Sequence, residues 1–192
     1  MLKSVHLLGS ILINMKTIKS IHLGIKNESK FKQAFIGVCG FIDANNWSGA
    51  CHPSVAILYA ICVLLEIDAV PNIGEAGIDG CAFDHSWLTI NDKVFDAAIM
   101  YPLNPAFATG PIFNSFDLYE QGNSNIKYGV YLRGLDAEAK NISKKNLFDY
   151  IMESPDNFLF ELLANLCDAI GVYCTESLLK NKLSNAYWNI CK

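Results

Sequence analysis

The sequence predicts one domain of the α+β class, on three observations. Its 192 residues are 52% hydrophobic and only 18% charged, enough apolar surface for a large core and too little charge for a disordered chain. The first half carries apolar residues at helical spacing, followed by an unbroken apolar run from Val55 to Leu65. The middle changes to short strand-like segments separated by turn residues, and the last fifty or so residues return to helix.

In order along the chain, the stretch 1–24 reads as a leader with an apolar patch too short to cross a bilayer, which needs about 20 apolar residues. It lacks a small-x-small cleavage site, so a buried or loosely held segment is expected rather than a secretion signal. Asn27-Glu28-Ser29 can cap a helix through Phe31, Ala34, Phe35, Val38 and Phe41, which Asn45-Asn46-Trp47-Ser48-Gly49 then breaks. Pro53 marks the first turn of a second helix, whose apolar surface on every side predicts burial at the domain centre. Ala69 to Ala76 reads as a strand that Pro71 pushes toward a sheet edge. Cys81 to Ile90 and Lys93 to Ala98 read as an antiparallel hairpin turning at Asn91-Asp92. The Pro-, Gly- and Asn-rich stretch 101–125 reads as a long ordered loop or lid, and Lys127 to Leu132 as a further strand. Over 141–192 helices are expected, with Ser154-Pro155 as cap and first residue, Gly171 as a stop and Thr175 as another cap.

A net charge of −4 without a Lys/Arg run provides no electrostatic footprint for nucleic acid. Cys39, Cys51, Cys62, Cys81, Cys167, Cys174 and Cys191 are odd in number and form no C-x-x-C pair, which argues against a disulfide framework or a zinc ribbon and for a reducing, cytoplasmic setting. Most of these thiols are expected to be small buried apolar groups. Cys51 differs: it stands at the mouth of the apolar helix, where unpaired N–H groups and the helix dipole favour a thiolate.

A thiol nucleophile needs a base held by a third group. With Asn91-Asp92 as a two-residue turn, Ile90 faces Lys93 and, counting back, Trp87 faces Asp96. His85 then lies on the same face as the diagonal neighbour of Asp96, about 7–8 Å away at the backbone, within reach of a ring and a carboxylate. A three-residue loop without a bulge would put them on opposite faces. His52 is a competing base, but adjacent helical residues point in different directions, so a place in the pocket wall is expected for it. Asp84, on the other face from His85, is expected to meet solvent. Tyr101, Phe107, Phe113 and Phe116 either line a groove or anchor their loop in the core. Zinc between Cys51, His52, Cys81 and His85 is disfavoured, since Cys81 and His85 on one strand stand about 13 Å apart; no metal and no cofactor are expected.

Gly49-Ala50-Cys51-His52-Pro53-Ser54 before an apolar helix, then Asp84-His85-Ser86-Trp87, then Val94-Phe95-Asp96-Ala97, resembles the core of the transglutaminase-like and papain-like superfamily over residues 45–100. Bacterial members include lasso-peptide leader-processing proteases. The resemblance implies a buried nucleophile helix packed on an antiparallel sheet, with extra helices at both termini. It implies a Cys51–His85–Asp96 triad passing an acyl group from a peptide or protein substrate, through a thioester, to water or an amine. It places Trp87 as a wall of the site and, for the oxyanion, offers the Cys51 N–H with Asn45, Asn46 or Trp47 as partner donors. Arylamine N-acetyltransferases share the triad order, but their arginine- and glycine-rich approach to the cysteine is missing. A binding module that keeps the fold without turnover is the reading from another class.

Overall fold

A computed structural model describes residues 16–78 and 80–191. The leader expected over 1–24 lies mostly outside them, but a helical turn over 16–20 is described, and Ile18 on it is 2% exposed within the main core.

The first long helix, α1 (Glu28–Asn45), buries Phe31, Ala34, Phe35, Val38 and Ile42, one stripe at helical spacing. Asn27 does not cap it through its side chain; its amide instead donates to the Leu65 carbonyl at 2.9 Å. Asn46, in the left-handed conformation at φ 46°, ends the helix. The second helix, α2 (Cys51–Leu64), starts two residues before Pro53, which therefore occupies the first turn, where its missing N–H breaks no helical hydrogen bond. Buried residues from Ser54 to Cys62 surround α2 as its composition predicts, and it packs between α1, the sheet and the C-terminal helices.

The main sheet holds β1 (Val70–Ile78), β2 (Cys81–Ile90), β3 (Lys93–Phe95) and β7 (Lys127–Val130) in the antiparallel order β3-β2-β1-β7. Asn91 and Asp92 both take positive φ (48° and 58°), the backbone of a tight two-residue turn, and Ile90 pairs with Lys93. The expected register is therefore present, although β3 stops at Phe95. Asp96 leaves β2 and exchanges two 2.8 Å backbone hydrogen bonds with Ile112.

Two expectations are corrected by the sheet. Pro71 does not put β1 at an edge: β2 runs along one side, while β7 and a C-terminal strand β8 (Asn189–Ile190) share the other. Pro71 is tolerated because β8 begins its pairing at Asn72, one residue later. And because β8 runs parallel to β1, the sheet is mixed rather than antiparallel. The stretch 101–125 is also more than a loop. It folds into a three-stranded sheet of β4 (Ile112–Phe113), β5 (Phe116–Asp117) and β6 (Gly122–Asn123), whose Phe113 packs in the core against Phe31, Phe35 and Phe95.

Four helices follow β7: α3 (Ala137–Ile142), α4 (Leu147–Met152), α5 (Phe158–Ala169) and α6 (Glu176–Leu183). Ser154-Pro155 opens a single 3-10 turn rather than α5 itself, and the Ser154 hydroxyl accepts from the Leu159 N–H at 3.0 Å. Gly171, at φ 63°, follows the end of α5, and the Thr175 hydroxyl caps α6 by accepting from Leu178 N–H at 3.4 Å. One apolar cluster extends from Ile18 to Trp188, with α2 at its middle. A smaller cluster of Ala76, Ile99, Ile112 and Ile126 forms a second patch of core.

Candidate active site

Helix α2 begins at Cys51, and Ala50 before it has no polar side chain with which to cap it. Pro53 has no N–H, so the first-turn donors are those of Cys51 and His52, and among the described residues neither has a protein acceptor. Cys51 is half-buried and lines a cleft of about 490 Å³ together with His52, Phe83, Asp84 and His85.

His85 comes from the middle of β2, paired with Gly74 of β1, and is 3% exposed. Its Nε2 lies 2.7 Å from Asp96 Oδ2. That oxygen also accepts from the Tyr128 hydroxyl at 2.7 Å, while Oδ1 accepts from the Ala98 and Ile99 N–H groups at 3.1 Å each. Asp96 thus caps a 3-10 turn, Ala98–Met100, and holds an imidazole at the same time. Burial works against a charged His85 ring, but the Asp96 carboxylate and its hydrogen bond, then the Cys51 sulfur, outweigh it and push the pKa up to about 10. With Nε2 engaged by Asp96, Nδ1 is the ring nitrogen left for that sulfur.

His52 is a second imidazole of opposite character. Its Nδ1 lies 2.7 Å from the Ser86 hydroxyl on β2, and its ring meets Trp188 edge-on at 6.0 Å. Ser86 is fully buried and, among the described residues, its hydroxyl has no other hydrogen-bond partner, so its proton points to His52 Nδ1 and the ring carries its own proton on Nε2. Burial, then the nearby His85, holds the His52 pKa down to about 4 despite Asp136. A neutral ring in the cleft wall is the result.

The remaining sequence candidates separate into two groups. Trp87 is buried beside the site, tilted against Tyr128 at 5.1 Å, and does not line the cleft. Asn45, Asn46 and Trp47 do not reach the cleft either. The Asn45 amide donates to Phe41 O one turn back at 2.8 Å, and Asn46 is exposed at the helix end. Trp47 packs edge-on against Phe41 and Phe158. The break after α1 keeps all three out of the cleft, so of the oxyanion donors the sequence offers only the Cys51 N–H remains at the site. Of the loop aromatics, Tyr101 and Phe107 line the cleft, whereas Phe113 is core. Asp84 does not face solvent alone: its Oδ2 accepts from Asp136 N–H at 3.1 Å, and it lines the cleft.

Three contributors carry no local signal in the sequence. Tyr128, Ser86 and Glu75 are drawn in by pairing between strands. Glu75 is 2% exposed and accepts from the N–H groups of Leu132, Arg133 and Gly134, clamping the loop whose Arg133 and Gly134 form one cleft wall. The facing wall is apolar, with Phe83 stacked on Phe107 (5.0 Å between centroids, 4° between planes) and Leu103 83% exposed at the rim.

No protein-family model, curated protein or solved structure matches this chain. Its chemistry therefore rests on the site itself. Among the described residues no group of three or more His, Cys, Asp or Glu side chains is placed to hold a metal ion, and no helix is long and apolar enough to cross a membrane.

Proposed function

We propose that the protein is a cysteine-nucleophile acyl-transfer enzyme of transglutaminase-like or papain-like architecture, with peptide or amide hydrolysis as its first reaction and transfer to an amine as the variant. One observation carries the reading: the His85 ring is held at Nε2 by a four-times hydrogen-bonded Asp96, which leaves Nδ1 for the sulfur of Cys51 in the same cleft. A ring so held carries a proton beside the Cys51 sulfur, the acid that thiol acyl chemistry uses.

In this scheme the Cys51 thiolate attacks the substrate carbonyl and the oxyanion is received at the N-terminus of α2. His85 then gives its Nδ1 proton to the leaving amine as the carbon–nitrogen bond breaks, and a thioester remains. Water, deprotonated by the now neutral His85, or an incoming amine resolves the thioester and restores the thiolate. Asp96 keeps the ring oriented and stabilises its charged form. No cofactor enters, and the open cleft suits a peptide or protein acyl donor.

Cys81 is an exposed thiol in the same chain and serves as an internal reference. Iodoacetamide near neutral pH, followed by peptide mapping, is expected to label Cys51 at least tenfold faster than Cys81, about the advantage that thiolate character confers. p-Nitrophenyl acetate is expected to leave an acetyl group on Cys51 and none on Cys51→Ala. Equal labelling of Cys51 and Cys81 overturns the enzyme reading and leaves a binding module on the same scaffold.

A further inference from the structure

Tyr128 stands on β7, thirty-two positions along the chain from Asp96, yet its hydroxyl donates to Asp96 Oδ2 at 2.7 Å. His85 Nε2 lies at the same distance from the same oxygen. The other oxygen is held by two backbone N–H groups, so the carboxylate is fixed in rotation and its Oδ2 serves two donors at once. The Tyr128 ring is fixed as well, tilted against Trp87 at 5.1 Å and lying 6.3 Å from the His85 ring. Burial and the Asp96 charge both raise the Tyr128 pKa, so its hydroxyl stays protonated and donates its proton to the carboxylate.

We propose that Tyr128 is a positioning residue for His85, acting through Asp96: it pins Oδ2 in line with the imidazole and draws charge off that oxygen. The inference rests on reading His85 as the base of a thiol site. Its physical content is a competition. A hydrogen bond to a carboxylate oxygen disperses its negative charge, so that oxygen pulls less strongly on a second donor. Tyr128 therefore softens the stabilisation that Asp96 gives the charged ring through Nε2, and keeps the Nδ1 proton transferable to a leaving amine. The titratable groups facing the cluster are Cys51 and His52 from α2, Asp96 itself, and Asp117 from β5, whose charge also bears on Tyr128.

The test is a titration of the His85 ring nitrogens by NMR in the full-length chain, with the signal assigned by its loss in His85→Gln. Tyr128→Phe keeps the packing on Trp87 and removes only the hydroxyl. It is expected to raise the His85 midpoint by roughly half a unit, a fraction of what one hydrogen bond to a charged group contributes, since Tyr128 acts through Asp96. Replacing Tyr128 with 3-fluorotyrosine, nearly the same shape but a stronger donor, is expected to move the midpoint down, and it stands in if the Phe variant does not fold. In an Asp96→Asn background the Phe substitution is expected to move nothing further. An unmoved or lowered midpoint in Tyr128→Phe, an unmoved or raised one with fluorotyrosine, or a shift that survives in the Asp96→Asn background overturns the proposal. The titration does not depend on thiol reactivity, so an inert Cys51 defeats the enzyme reading without touching this result, and the reverse also holds.

Discussion

His52 and His85 line one cleft beside Cys51 and hold their protons in opposite senses. His85 faces a buried carboxylate and is pushed up to about 10, while His52 faces a serine hydroxyl and is pushed down to about 4. Burial disfavours charge at both rings; the difference is that His85 has a carboxylate hydrogen-bonded to it, whereas Asp136 near His52 does not offset burial and the His85 charge. A two-histidine cleft is thereby divided into one charged ring and one neutral ring.

That division predicts how stability depends on pH. Above 6.5 the unfolded His85 has lost its proton and the folded one keeps it, so stability falls as pH rises from 6.5 through about 10. Below 6.5 the unfolded His52 binds a proton that the folded ring refuses, so stability falls as pH drops from 6.5 through about 4. Urea unfolding across this range is expected to show His85→Gln flattening the alkaline limb and His52→Gln flattening the acid limb.

Asp96→Asn is nearly isosteric but is expected to be costly. The amide oxygen can keep the Ala98 and Ile99 N–H groups, which turns the NH₂ toward His85 and Tyr128, two groups that also donate. A buried donor left without an acceptor costs about 1–3 kcal/mol. Urea unfolding is expected to show a loss in that range, and iodoacetamide labelling of Cys51 is expected to slow as the His85 midpoint falls.

Glu75→Ala is expected to release a wall of the cleft. Three backbone N–H groups, those of Leu132, Arg133 and Gly134, lose their acceptor together. Hydrogen exchange at these amides should accelerate about fivefold or more, the opening that about 1–3 kcal/mol corresponds to. Although burial opposes the charge, these same N–H groups hold the Glu75 pKa below its usual 4.5, so the clamp is present at neutral pH and is lost as pH falls below that value.

Two glycines should respond to alanine with opposite signs. At Gly74, opposite His85, a Cβ would stand 3.0 Å from both the Trp87 ring and Cys191 Cβ and 3.1 Å from the Cys191 carbonyl. Gly74→Ala is expected to push β8 outward and lose about 1–3 kcal/mol. Gly40, exposed on α1 with open space around it, is expected to gain about 0.5–1 kcal/mol on the same change. Paired denaturation curves decide both signs.

What could be read from the chain directly was local. Pro53 places the start of α2 within two residues of Cys51, because a proline ring is accepted only in a first turn. Asn91 and Asp92 tolerate the left-handed backbone of a two-residue turn, and the period of two along a strand then puts His85 and Asp96 on one face. What only the tertiary structure decided was distant. The two-residue strand β8 has too few residues for a periodic signal and exists because β1 offers it an unpaired edge. Phe113 turns 101–125 from a loop into a small sheet by entering a core whose other members lie on α1 and β3. Tyr128, Ser86 and Glu75 were silent for the same reason: dihedral preferences and periodicity report a residue's own neighbourhood, whereas a buried polar group finds its partner only when strands and helices are packed face to face.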